Sequence, residues 1–361
     1  SRNCLLRDKN IMNRIFLSFL IFLIKETYSN EPFQSQYCPK DKSLTHPCSC
    51  GQFTSYPLPS LFCNSTELTV RKLRKVLDSV TEIDSFNHLQ ILNGDLKALP
   101  RNIDGDKDFL AIMIGNSNVT TFDVRAFEGS FHTLETLIIK ENRNLDSFDF
   151  SQLYNYEKLV ALYMHDNGIK EVRGFPIMNH INTLLLQRNE ISYIEPFARN
   201  EKLRYISFAE NKIKEIPRNA FMELPMVAEV DLKYNQLDVI KEGTLHFNSK
   251  DMVSIVLTGC GIEKIEKDAI SGINPHTIVD FTDNHIEVLY EDVFNPLIQT
   301  MWKNMGLIKL HGNPLKCSCS TFGWLSKDEE YLVHLPGAVC QDGIKLTEFL
   351  KDSCKDIKIE L

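Results

Sequence analysis

Basic charge is scarce in this chain. Lysine and arginine number 40 against 48 aspartates and glutamates, for a formal net charge of −8. That balance argues against a nucleic-acid or anionic-lipid partner held by electrostatic attraction. Long apolar runs are missing too: the longest, residues 15–24 (IFLSFLIFLI), is about half of what a membrane-spanning helix needs. Catalytic motifs are absent as well, with no phosphate-cradling glycine loop, no HExxH pattern and no nucleophile–base arrangement. His165 lies beside Asp166 on an expected strand end, and a solvated histidine is the plainer reading there than a general base. No catalytic residue, cofactor or metal is therefore expected.

What the chain does have is a beat. Leu159-Leu162-Met164-Asn167-Ile169, Ile181-Leu184-Leu186-Asn189-Ile191 and Leu203-Ile206-Phe208-Asn211-Ile213 share one spacing of apolar positions around a small polar residue. Nine copies start at Phe86, Phe109, Leu134, Leu159, Ile181, Leu203, Val227, Met252 and His276, in steps of 22–25 residues, and Met305 opens a tenth. This is the pattern of a leucine-rich repeat. Positions 4 and 6 of each copy point inward as on a strand, and position 5 points out. The asparagine at position 9 is expected to satisfy backbone groups in neighbouring turns. Stacked copies predict an α/β repeat solenoid, a horseshoe whose parallel concave sheet has about ten strands and spans roughly 45 Å.

The cysteines bracket this array. Cys38, Cys48, Cys50 and Cys63 precede it, and Cys317, Cys319, Cys340 and Cys354 follow it. Open ends of a stack need covering modules, and disulfides hold such small modules together outside the cell. A zinc reading of the C-x-C pairs fits neither that compartment nor their placement. Cys260 occupies position 9 of its copy, where a buried thiol is expected. Residues 12–29 read as a secretory signal, with Arg14, the ten-residue apolar stretch and Thr27-Tyr28-Ser29 as a cleavage site. An uncleaved anchor is the rival reading. Removing residues 1–29 takes away five basic and two acidic side chains, leaving a charge near −11. The final residues, KDIKIEL, lack the apolar tail of a lipid anchor. Asn64-Ser65-Thr66 and Asn118-Val119-Thr120 are acceptor sequences for N-linked glycan.

Asn313-Pro314-Leu315-Lys316-Cys317-Ser318-Cys319, followed by Trp324, Cys340 and Cys354, resembles the C-terminal cap of secreted leucine-rich repeat proteins with cysteine-rich flanks. The likeness covers residues 38–354. It implies alternating pairs, Cys38–Cys50 and Cys48–Cys63, then Cys317–Cys340 and Cys319–Cys354. The layout of Pro47-Cys48-Ser49-Cys50, of Cys63 followed by a helix, and of Asn93-Gly94-Asp95-Leu96 is similar to arthropod proteins of the oplophorus-luciferin 2-monooxygenase non-catalytic subunit type. That resemblance implies no catalysis for this chain.

The expected organisation is leader or artefact at 1–11, signal peptide at 12–29, cysteine-rich cap with a short helix at 30–85, repeats at 86–315 and a second cap at 316–361. Arg71, Lys72, Arg74 and Lys75 read as the wet face of that helix, with Leu73, Val76, Leu77 and Val80 as its apolar stripe. Down position 5, Met113, Ile138, Tyr163 and Leu185 fall on consecutive strands, joined by Tyr205 from position 3. An exposed apolar patch of this kind marks an interaction site, so these five are the candidate partner contacts. The second half of the face, with Arg188, Glu229, Asp231, Lys233, Tyr234 and Asp280, is polar. The function expected is a secreted, non-catalytic protein-binding module, an accessory subunit, soluble receptor or matrix component. The alternative is an obligatory half of an extracellular enzyme complex whose chemistry lies on another chain.

Overall fold

The structure is a computed structural model that describes residues 36–52 and 58–354. The expected leader and signal segments lie outside these residues. Among the described residues, one curved sheet of twelve strands runs from residue 48 to residue 309. Its first two strands, β1 (Cys48–Gly51) and β2 (Ser60–Asn64), pair antiparallel; β2 onward is parallel throughout. The repeat strands are β3 (Ser85–Leu92), β4 (Asp108–Gly115), β5 (Thr136–Lys140), β6 (Ala161–Tyr163) and β7 (Thr183–Leu185). They continue through β8 (Tyr205–Ser207), β9 (Glu229–Asp231), β10 (Ser254–Val256), β11 (Ile278–Asp280) and β12 (Leu307–Lys309). The ten repeat strands appear as the spacing predicts. The N-terminal cap adds two more, because its hairpin pairs with the first coil instead of only covering it.

Three layers of contact hold the coils in register. Inside the sheet, positions 4 and 6 are buried in every copy, from Leu89 and Ile91 to Ile308 and Leu310. The asparagines form a ladder along one edge of that core. Asn235 donates from Nδ2 to Phe208 O (2.9 Å) and Leu232 O (2.7 Å), and its Oδ1 accepts from Ile213 N (3.0 Å). Asn189, Asn211, Asn284 and Asn313 repeat the arrangement in their own copies. Towards the convex side, phenylalanine rings form a row that runs from coil to coil: Phe122–Phe148, Phe150–Phe175, Phe175–Phe197, Phe197–Phe221 and Phe221–Phe247 between coils and Phe148–Phe150 within one, with centroids 4.9–6.2 Å apart.

The two ends differ from the middle. Helix α1 (Val70–Ser79) buries Leu73, Val76 and Leu77 and exposes Arg71, Lys72, Arg74 and Lys75, so the basic run is a solvated face. In the ninth and tenth copies the first position departs from the pattern: His276 and Met305 are exposed. Thr277 takes the buried place instead, with its hydroxyl donating to Met252 O at 3.0 Å. The ninth coil also carries an eleven-residue helix, α2 (Glu291–Met301). The C-terminal cap docks beneath it through Trp324, whose Nε1 donates to Leu289 O at 3.0 Å.

Candidate binding face

Parallel pairing fixes what lies beside what on the concave side. Residues Gln90, Met113, Ile138, Tyr163, Leu185, Ser207, Asp231, Val256, Asp280 and Lys309 are register partners on ten successive strands. Tyr205 is aligned with Thr183 on one side and Glu229 on the other. The sequence order of the stripe is therefore its spatial order.

Exposure is where the structure corrects the sequence reading. Met113, Ile138 and Tyr163 retain only 2%, 4% and 5% of their accessible surface, so they are not open to solvent. They form a second apolar cluster with Ala161, apart from the solenoid core, and Leu92 and Leu185 pack against it half-buried. Part of that cover is the sheet's own. Strands about 4.8 Å apart set each side chain against the next, and the Lys140 stem lies over Gly115, where an added Cβ would come within 3.2 Å of Lys140 Cε. Tyr205 stands outside the cluster, half-buried. Position spacing identified the column; burial depends on curvature and on neighbours at positions 3 and 7, which a single stripe does not show.

Beyond Leu185 the face is wetter and its charges are interleaved. Asp231 lies 3.7 Å from Lys233, and Asp280 lies 3.1 Å from Lys309. Burial raises the Glu229 carboxyl, and the nearby Asp231 charge adds to it. Tyr234 remains 53% exposed. Along the rim, position 8 takes left-handed backbone in every copy: Asn93, Asn116, Glu141, Asp166, Arg188, Glu210, Tyr234, Gly259, Asp283 and Gly312 all have φ between 45° and 75°. This turns the chain off the strand. The sequence carried a signal for it, since six of the ten are Asn, Asp or Gly.

Arg188 grips Asp166 with two nitrogens at 2.6 and 2.8 Å, and His165 Nδ1 lies 2.6 Å from the same carboxylate. The Arg188 hydrogen bonds are the main reason the Asp166 carboxyl sits near 2. The Asp166 carboxylate thus sits between His165 and Arg188 as part of a ladder of side-chain contacts along the rim.

The caps are joined as Cys38–Cys50, Cys48–Cys63, Cys317–Cys340 and Cys319–Cys354, the alternating pairs that the family resemblance implies. Cys260 is a buried free thiol whose Sγ donates to Leu232 O at 3.2 Å, and burial pushes its pKa to about 11. Here the Cys260 carbonyl accepts from Leu237 N, replacing the side-chain oxygen an asparagine would offer. Asn64 and Asn118 are both exposed. A groove of about 480 Å³ opens on the convex side over Phe122 and Phe148. Its Asp123 and Asp149 carboxylates cap their own turns at Arg125 N (2.8 Å) and Ser151 N (3.1 Å).

The Leucine rich repeat family profile matches residues 179–237. A chain of the octameric complex of Latrophilin 3, Unc5D and the leucine-rich repeat part of FLRT2 superposes with a TM-score of 0.58, covering 82% of this chain and 95% of that one at 16% identity. The fold is a leucine-rich repeat horseshoe. The APL1 leucine-rich repeat domain is similar at TM-score 0.51 and 16% identity, covering 67% of this chain and 59% of that one. In sequence, the horseshoe is similar to osteomodulin of Bos taurus, 26% identical over 160 residues, 43% of this chain and 36% of that protein. Keratocan of Bos taurus is 25% identical over 168 residues, 45% of this chain and 46% of that protein. The chain thus spans less than half the length of these relatives. The likeness to the arthropod monooxygenase subunit is not shown. Among the described residues, no helix is long and apolar enough to cross a membrane.

Proposed function

We propose that this chain is a secreted, non-catalytic module that holds a protein partner against its concave sheet. The observation that carries this reading is the sheet itself. Twelve strands in unbroken register present side chains in fixed columns over a rigid core, the kind of scaffold on which repeat proteins carry extended binding surfaces. FLRT2, which shares the fold, occurs in a complex with Latrophilin 3 and Unc5D, and that supports a protein partner here. Four disulfides favour an oxidising compartment, in keeping with the signal read in residues 12–29 and with glycan at Asn64 and Asn118.

The candidate contacts divide in two. Leu185 and Tyr205, half-open, begin the accessible part, which continues through Asp231, Lys233 and Tyr234. Met113, Ile138 and Tyr163 act from beneath, as the apolar bed that fixes where Leu185 and Tyr205 stand. Interleaved charges over such a bed give orientation and rim contacts more than raw affinity. An accessory role within an extracellular enzyme complex would use the same face, and a co-purifying catalytic chain would single it out.

Affinity capture from the native extracellular fluid tests the reading. A Tyr205→Asp, Lys233→Glu double variant should lose the stoichiometric partner that the wild-type chain retains. Ile177→Asp, on an exposed convex side chain, should keep it. Retention by the folded double variant would reject the concave face as the site.

A further inference from the structure

At the N-terminal end of the concave sheet lies a cavity of about 390 Å³, lined by Phe62, Gln90, Asn93, Asn116, Lys140 and Glu141, with Asn64 in its wall. That volume falls at the small end of ligand pockets, about 300–1,000 Å³. Its chemistry is distinctive: three carboxamides besides Asn64, one aromatic ring, and the Glu141 carboxylate with the Lys140 ammonium 3.5 Å from it. Carboxamides and carboxylates bond the vicinal hydroxyls and the acetamido group of a sugar in both senses, donor and acceptor. A ring face takes the sugar's C–H side.

The amides are already organised. Asn116 Nδ2 donates to Asn93 Oδ1 (2.7 Å), and Asn93 Nδ2 donates to Asn64 Oδ1 (2.8 Å). The chain of bonds ends on the oxygen of Asn64, so its Nδ2 donates to nothing among the described residues. Nδ2 is the atom that carries an N-linked glycan. On attachment from a lipid-linked oligosaccharide donor, the bond from the sugar's anomeric carbon to the lipid pyrophosphate breaks, the pyrophosphate leaves, and Nδ2 gives up one proton to solvent as it bonds that carbon. It keeps its other proton, and Oδ1 keeps its bond to Asn93. Asn118 is arranged the other way, with Nδ2 donating to Asp95 Oδ1 at 2.8 Å, and it does not line the cavity.

We propose that the cavity is a carbohydrate subsite for this chain's own glycan, whose first N-acetylglucosamine units fold back from Asn64 onto Gln90, Asn93, Asn116 and Glu141. The inference rests on the reading that Asn64 is glycosylated. Leu92 lines the cavity and packs on the Met113–Tyr163 cluster, so the seated sugar closes off the N-terminal half of the concave face. A partner is then directed to the half beyond Leu185.

The test uses the full chain secreted from cells that add N-linked glycans, with site-resolved mass spectrometry during digestion by peptide-N-glycosidase. Glycan at Asn64 should leave the folded protein at least about tenfold more slowly than glycan at Asn118, the factor one or two retained hydrogen bonds supply. After reduction and denaturation the two rates should match. Gln90→Ala, and separately Glu141→Gly, which suits the left-handed backbone there, should each speed release at Asn64 and leave Asn118 unchanged. Equal rates in the folded protein overturn the proposal. So does slow release that neither substitution alters, since that is shielding without contact. An unmodified Asn64 removes the glycosylation reading itself, a result distinct from either. Release slowed by added free N-acetylglucosamine oligomers in the wild type would contradict a cavity already filled by the tethered sugar.

Discussion

Asn235 shows how much one side chain does in a stacked fold. Its three bonds satisfy backbone groups of two coils that have no access to water. Asn235→Ala leaves them unpaired, and at about 1–3 kcal/mol per buried orphan the loss should be at least about 3 kcal/mol, read as a lower melting temperature. Cys260 makes the complementary case. A buried thiol held near 11 should resist alkylation at pH 8 in the native protein and react fully in denaturant; labelling in the native state would contradict its place in the ladder. Both roles were legible in the sequence, since position 9 is Asn or Cys in the eight copies from Leu134 onward, side chains that reach those carbonyls. Asp104 was not. It is buried by the next coil, where Gly129 N and Ser130 contact its carboxyl, and burial raises its pKa from 3.8 to about 7. The protonated form is thus favoured by folding. Stability is fully present below pH 3.8 and declines as pH rises towards 7, by up to about 4 kcal/mol. Asp104→Asn should flatten the dependence of unfolding free energy on pH across that window, and an unchanged slope would contradict the assignment.

At the scale of elements, the coil is specified twice, once by strand spacing and once by the convex phenylalanines. The first was readable because position 1 is buried in eight copies running from Phe86 to Met252. The second was not, because the rings meet only after stacking. Phe197 touches Phe175 at 5.4 Å and Phe221 at 6.0 Å. Phe197→Ala should cost about 3–5 kcal/mol and lower cooperativity, with Phe197→Leu losing clearly less. Gly272 is a tighter constraint: φ is +70°, and a Cβ there would overlap the Phe247 carbonyl oxygen. The apolar column from Met113 to Leu185 was equally legible as an order of residues. Its exposure was not, because accessibility is a property of the curved sheet and of its flanking positions. The same limit hid helix α2 and the exposure of His276, whose buried place Thr277 takes.

For the whole molecule, the caps decide whether the stack survives at its ends. Each disulfide closes a short loop, with separations of 12 to 35 residues, worth about 2–4 kcal/mol. Reduction with dithiothreitol should therefore lower the melting temperature by many degrees and expose the terminal coils first, seen as faster amide exchange at β2 and β12 than at β7. Uniform exchange would contradict an end-first opening. The most direct test of the central claim places a photoreactive amino acid at position 205 on the concave sheet or at position 177 on the convex side. After illumination in the native extracellular fluid, position 205 should yield one discrete crosslinked partner and position 177 none. A crosslink from position 177 alone would contradict binding through the concave face.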